Sequence, residues 1–144
     1  TKLVIAGPDE GMLSTLEALA DESIILTGFL SGEARLQALA SADVFALPAI
    51  GEGLSMAVLE AMASGLPVVL SHGCNFPEVA TADAGYVVDV NEDDIANALV
   101  NILADADRLA QMSDNAQALI RQKFTWEIVA SQMTDVYSKY FSTP

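Results

Sequence analysis

A helix that is apolar on almost every face constrains the fold of this chain more than any other segment. Residues 56–63 are apolar except for Glu60, and such a helix is predicted to be buried. Gly65 fits the position after the helix and Pro67 prevents its continuation, so the chain must turn there. Residues 67–70 are apolar and follow at once, which predicts a buried strand. The segment therefore predicts a buried helix–strand unit.

Two glutamates and a helix N-terminus lie together in this segment. Ser55 is a preferred N-cap residue, and the free N–H groups that follow it form a site for an anion. Gly53 lets a ligand approach the backbone closely. Glu60 lies inside the apolar helix, where an unpaired carboxylate is costly, so it is expected to have a structural partner or to hold two neighbouring hydroxyls of a ligand. Glu52, in the turn before the helix, is either an exposed loop acid or a ligand contact.

Apolar strand-like segments alternate with helix-like segments along the chain. This order predicts right-handed βαβ units and an α/β fold, a Rossmann-like doubly wound parallel sheet of about five strands. The sheet lies in residues 1–90 and is followed by C-terminal helices in residues 91–144, all in a single domain. Ligands bind such sheets beyond the carboxyl ends of the strands, where Glu52 and His72 are expected. The predicted strands are residues 2–6, 24–27, 44–47, 68–71 and 85–88, and the helices are 9–20, 31–41, 56–63, one from about Asn91, 106–123 and 126–140.

Charge and composition exclude several classes of partner. The net charge is −14 in 144 residues, which argues against binding of nucleic acid or of an anionic membrane by this chain alone. The single cysteine, Cys74, rules out an internal disulfide and fits a cytoplasmic protein. Asp83 and Asp89 are assigned to a solvated acidic surface, and Trp126 with the aromatic residues of the last helix to packing.

Several segments, in this order and spacing, resemble the retaining glycosyltransferases of GT-B fold, the glycosyl transferases group 1 family. Glu52 and Glu60 are separated by seven residues, as in the E-x7-E motif of that family. The resemblance covers nearly the whole chain and implies the C-terminal, donor-binding half of a GT-B fold. The matching segments are LVIAGP at 3–8, LTGFL at 26–30, ADVFALP at 42–48, EAMASGLPVV at 60–69 and PEV at 77–79.

The resemblance implies a role for each residue that matches the family's donor site. Glu52 would be catalytic and contact the donor sugar near its reacting carbon, and Glu60 would hold the ribose of the nucleotide. The donor would be a UDP-, GDP- or ADP-sugar, bound without an obligatory metal or other cofactor. Leu54 and Ser55 replace the Phe and Gly of the commoner E-G-F-G pattern, so the sugar stays open. The remaining donor-binding residues would be Gly7, Phe29, Leu30, Gly53, Leu54, Ser55, Met56 and His72.

The resemblance also implies parts that this sequence lacks. In the family, the first βα unit supplies a Gly-Arg turn and a Lys for the diphosphate, and an N-terminal domain binds the acceptor. The chain begins inside a strand-like segment, as expected for a truncated domain, and we expect it to be inactive alone. The lost strand would be central, between those at 2–6 and 44–47. The remaining strands would close the gap, borrow a strand from another molecule, or keep exposed edges that favour self-association.

Three other classes of protein fit part of the sequence. A nucleotide-binding module without transfer activity would use the same helix N-terminus and Glu60. An acidic receiver-like domain is disfavoured because no acidic pair follows the strand at 4–7 and no lysine ends a later strand. A structural fragment would self-associate through its sheet edges. For the transferase, the full-length enzyme is expected in the cytoplasm, including the cytoplasmic face of a membrane.

Overall fold

The computed structural model describes residues 1–141, which form two compact units. The first unit is Thr1–Ala38 and the second begins at Leu39. In chain order the elements are β1 (Leu3–Ala6), α1 (Leu13–Leu19), β2 (Ile24–Gly28), α2 (Gly32–Ala40), β3 (Phe45–Leu47), α3 (Met56–Ala63), β4 (Val68–Ser71), a 3₁₀ turn (His72–Cys74), α4 (Glu78–Thr81), β5 (Gly85–Val88), α5 (Glu92–Leu103), α6 (Ala106–Lys123) and α7 (Trp126–Phe141).

The first unit contains a parallel pair of strands, β1 and β2. The helix predicted from residue 9 begins only at Leu13, because the carboxylate of Asp9 shapes a turn before it. Asp9 Oδ1 accepts the backbone N–H of Gly11 at 2.7 Å and that of Leu13 at 3.1 Å. These bonds favour the ionised carboxylate and hold the pKa of Asp9 below its ordinary value, with the Gly11 bond the larger cause.

The second unit contains a three-stranded parallel sheet in the order β3-β4-β5. All four residues of the central strand β4 are buried. Val68 and Leu70 pack in a core cluster with α3 and the second half of α6, whereas Val69 packs with α5 and Met112 of α6. Both faces of β4 are therefore covered, which is why its sequence is apolar without alternation.

The five parallel strands and the C-terminal helices confirm the predicted α/β class, and they form two sheets. Within residues 1–141, β1 has a ladder only with β2, and β3 has one only with β4. These are the two strands that the family resemblance predicts on either side of a missing strand. Which of the three predicted outcomes the chain adopts in solution stays a prediction.

Helix α3 is buried on one face, so the prediction that it would be buried all round was wrong. Val58, Ala61 and Met62 are buried, whereas Met56 is 59% exposed. The helix contacts the sheet and α6, and these cover only one side of it. Glu60 is consequently half-buried rather than enclosed.

Helix α3 ends at the place that Gly65 and Pro67 predict, and its C-terminal end forms a Schellman motif. The N–H of Gly65 bonds to the carbonyl of Met62, and the N–H of Leu66 bonds to that of Ala61, each at 3.0 Å. Gly65 has a φ of 87°, in the left-handed region. A Cβ on Gly65 would also lie 2.8 Å from Nε2 of Gln117 on α6.

Gly65→Ala is therefore expected to lower the free energy of unfolding by about 1–2 kcal/mol. Denaturant unfolding of the chain checks this. The double variant Gly65→Ala/Gln117→Ala separates the two causes, because it removes the steric contact and keeps the backbone strain. Unchanged stability in Gly65→Ala would contradict the Schellman assignment.

Asp83 has a structural role that its assignment to a solvated surface did not include, although 47% of its side chain is exposed. Its carboxylate accepts both terminal guanidinium nitrogens of Arg108 on α6, and its carbonyl accepts Nδ2 of Asn115 at 2.9 Å. The hydrogen-bonded carboxylate raises the pKa of Arg108 above its ordinary value. The guanidinium of Arg108 is thus engaged in joining α6 to the turn before β5.

The aromatic residues of α7 are exposed, which corrects their assignment to packing. Trp126 and Phe141 are each 80% exposed, and Tyr140 is 71% exposed. None of the residues described in α7 is buried.

Candidate functional site

In the first unit, the predicted donor-site residues follow the carboxyl ends of the two strands. Gly7 directly follows β1, and its N–H donates to the carbonyl of Gly28 at 3.0 Å, which extends the ladder by one residue. Phe29 and Leu30 directly follow β2; Phe29 is 73% exposed and Leu30 is half-buried. The structure places all three where a ligand of a parallel sheet is expected, and their role stays a prediction.

In the second unit, three ionisable side chains lie at the carboxyl edge of the three-stranded sheet. Glu52 lies in the loop after β3, His72 directly follows β4, and Asp89 directly follows β5. The loop of Glu52 is tied to the turn of His72, since the N–H of Glu52 donates to the carbonyl of Gly73 at 2.8 Å. The predicted residues Glu52 and His72 are thus brought to one edge, both exposed.

Asp89 is the member of this edge that the sequence analysis missed. Its Oδ1 lies 3.8 Å from Nε2 of His72, with 77% and 69% of the two side chains exposed. The pairing follows from strand register: Ser71 is the partner of Val88, so the next residue of each strand is adjacent. The sequence contained a signal for this pairing: Asp89 directly follows the last predicted strand, just as His72 directly follows the strand before it.

The N-terminus of α3 is built as predicted, except for its side-chain cap. Ser55 holds the N-cap position in an extended conformation, with φ −75° and ψ 120°, but its side chain makes no capping hydrogen bond. Its carbonyl accepts the N–H of Leu59 at 3.2 Å. The backbone N–H groups of residues 56–58 precede that bond and belong to the open end of the helix. Gly53 and Leu54 are exposed beside it.

Glu60 lies one turn into α3, on the wall of a cavity of about 320 Å³. The cavity is otherwise apolar, and Glu60 is half-buried in it. Glu60 thus contributes a carboxylate to the wall of a mostly apolar cavity, and a carboxylate is a group that accepts hydrogen bonds from hydroxyls. The other lining residues are Leu54, Met56, Leu59, Ala63, Ile120, Phe124, Trp126 and Val129.

The side chains and helices of residues 1–141 also bear on metal binding and on membrane insertion. No group of three or more His, Cys, Asp or Glu side chains in this part of the chain is arranged to hold a metal ion. Among the helices described, none combines the length and apolarity that crossing a membrane requires.

The sequence profile of the family described as glycosyl transferases group 1 matches residues 1–119. The chain belongs to this family. The chain is similar to the MMP alpha-(1->4)-mannosyltransferase of Mycolicibacterium hassiacum, with 35% identity over 142 residues, covering 96% of this chain and 34% of the relative. The GDP-mannose-dependent alpha-(1-6)-phosphatidylinositol dimannoside mannosyltransferase of Mycobacterium tuberculosis is 37% identical over 135 residues, covering 92% and 34%.

Solved structures confirm the predicted fold of this chain, which is the Rossmann-like half of a GT-B fold. Anabaena HepE, crystallised with UDP, matches with a TM-score of 0.82 and 22% identity over 96% of this chain and 41% of HepE. Sucrose-phosphate synthase of Thermosynechococcus elongatus matches with a TM-score of 0.81 and 25% identity over 98% and 39%. The chain thus spans about a third of the two mannosyltransferases and two fifths of these structures.

Proposed function

We propose that this chain is the donor-binding half of a retaining glycosyltransferase. The complete enzyme would move a sugar from a nucleotide diphosphate sugar to a hydroxyl acceptor. The observation that carries the proposal is the placement of Glu52 and Glu60 on either side of the open N-terminus of α3, in a chain that belongs to the glycosyl transferases group 1 family.

In the proposed donor site, different residues bind different parts of the nucleotide sugar. Glu60 accepts hydrogen bonds from the two ribose hydroxyls. The backbone N–H groups of residues 53–56 and the positive end of the α3 dipole face the sugar and the diphosphate. The nucleobase role of Gly7, Phe29 and Leu30 is proposed from the family resemblance alone.

Catalysis in this proposal is positioning and charge stabilisation. As the bond to the diphosphate breaks, negative charge grows on the leaving group and is stabilised by the N–H groups at the start of α3. Positive charge grows on the sugar, where the carboxylate of Glu52 stabilises it. His72, which lies near Asp89 on the same sheet edge, is proposed to contact the phosphate or the sugar. Because residues 36–107, which include the turn and the N-terminus of α3, contain no lysine or arginine, the full cationic partners of the diphosphate are proposed to come from outside this chain.

The names of the relatives suggest which donors to test first. The M. tuberculosis relative is named as GDP-mannose-dependent, and HepE was also crystallised with UDP-glucose. We propose GDP-mannose as the first candidate, with UDP-glucose and ADP-glucose beside it. A metal-independent reaction and a cytoplasmic location are parts of the same proposal. Self-association through the unpaired edges of β1 and β3 is proposed for the chain on its own.

The proposal is tested by assaying the complete enzyme with these three donors and a panel of acceptor alcohols. One donor is expected to release its nucleotide diphosphate with transfer of the sugar, with and without EDTA, and NMR of the product should show the anomeric configuration of the donor. The 144-residue chain alone should release none. Tight nucleotide binding without transfer would instead support a binding module, and an inverted product would overturn the retaining mechanism.

A further inference from the structure

The turn after β4 packs closely against the loop that carries Glu52. Ser71 is buried, with 1% of its surface exposed, and its hydroxyl donates to the carbonyl of Ala49. Cys74 is 2% exposed, and its thiol donates to the carbonyl of Leu47 at 3.2 Å. The two side chains also contact each other, with 3.7 Å between Ser71 Oγ and Cys74 Sγ. The last residue of β4 and the last residue of the turn therefore satisfy the carbonyls of Ala49 and Leu47, where β3 passes into the loop of Glu52.

Gly73 brings the two backbones into direct contact. Its carbonyl accepts the N–H of Glu52 at 2.8 Å. A Cβ on Gly73 would lie 2.5 Å from the carbonyl oxygen of Ile50 and closer still to that of Ala49. The φ of Gly73 does not lie in the left-handed region, so it is the close approach of the loop that requires glycine here.

We propose that Ser71, Gly73 and Cys74 are positioning residues for Glu52, an inference that rests on the proposed function. The side chain of Glu52 is exposed, so side-chain packing does not hold it over the donor. Its place depends on the loop, and the loop is held by the hydrogen bonds from the turn. A displacement of about 1 Å of a catalytic group can cost about a hundredfold in rate. The turn thus sets the transfer rate without touching the donor.

The test is a double-mutant cycle of Ser71→Ala and Glu52→Gln in the complete enzyme, read as kcat and as Kd for the nucleotide diphosphate. Ser71→Ala is expected to lower kcat about tenfold to hundredfold with little change in Kd. In the Glu52→Gln background, Ser71→Ala should lower kcat almost no further, because no carboxylate is then left to position. The amide of Glu52 should also lose hydrogen-exchange protection in Ser71→Ala. Cys74→Ala is a second variant with the same expectations, for use if Ser71→Ala fails to fold.

Ser113→Ala is a matched control for loss of a hydroxyl. The hydroxyl of Ser113 donates to the carbonyl of Gly65, at the opposite end of α3 from Glu52. Ser113→Ala should therefore lower the free energy of unfolding and leave kcat unchanged. If Ser71→Ala and Cys74→Ala lower stability as Ser113→Ala does, with kcat and the protection of Glu52 unaltered, the positioning role is overturned. If Glu52→Gln itself leaves transfer unaltered, it is the catalytic role proposed for Glu52 that fails, and if the unaltered enzyme transfers no sugar, it is the proposed function that fails.

Discussion

Replacing Glu52 by glutamine is expected to lower kcat of the complete enzyme by about 10²–10³-fold, the range found when one preorganised electrostatic partner of a transition state is removed. Glutamine keeps the size of the side chain and its place in the loop, whose anchor is the backbone bond to Gly73. Only the negative charge facing the developing positive charge of the sugar is lost. Since that charge develops mainly in the transition state, the Kd of the nucleotide diphosphate should change little.

The measurement is steady-state transfer together with a separate binding titration. Glu92→Gln is the matched control, because Glu92 is an exposed carboxylate in the first turn of α5 and has no role in the proposed site. Its kcat should equal that of the unaltered enzyme. A Glu52→Gln enzyme with normal kcat, or one that has lost nucleotide affinity instead of rate, would show that Glu52 is an exposed loop acid or a binding residue.

Replacing Glu60 by alanine is expected to have the opposite signature. The Kd for the nucleotide diphosphate should rise by about 10–100-fold, because hydrogen bonds to a charged group contribute about 1.5–3 kcal/mol. The effect should appear with the nucleotide alone, since the ribose is present with or without the sugar. The Kd of Glu60→Gln should lie between those of the unaltered enzyme and Glu60→Ala, because the amide has one acceptor oxygen where the carboxylate has two. Calorimetric titration and a denaturant unfolding curve are recorded for each variant.

The unfolding curve separates binding from a structural role of Glu60. The residue is half-buried on an open cavity wall, so we expect only a small change in stability on its replacement. A large loss of stability with unaltered nucleotide affinity would make Glu60 a structural partner within the fold and would remove it from the donor site.

Sequence reasoning worked best where a local residue decides the structure. Gly65 and Pro67 end α3 because of their own backbone chemistry, and the structure has the turn that they predict. The strands at 68–71 and 85–88 were also placed correctly. An uninterrupted apolar run after a glycine and a proline leaves few alternatives, and the parallel order of the strands follows from their alternation with helices.

Sequence reasoning failed where a distant partner decides the outcome. Asp83 resembles any surface acid until Arg108 is brought to it by α6. Asp89 became adjacent to His72 only through the register of β4 and β5. The exposure of one face of α3 likewise depends on which elements cover it, and an apolar sequence alone does not supply them. The family resemblance, in contrast, named the candidate donor-site residues. Their roles stay predictions until they are measured.

The most direct test of the central claim is a calorimetric titration of the complete enzyme with UDP, GDP and ADP, in the unaltered form and with Glu60→Ala. The nucleotide that binds most tightly is then replaced by its 2′-deoxy form. The account predicts that loss of the 2′-hydroxyl weakens binding to the unaltered enzyme about tenfold and has almost no further effect in Glu60→Ala. An equal loss in both proteins, or no binding of any nucleotide, would contradict a donor site in which Glu60 holds the ribose.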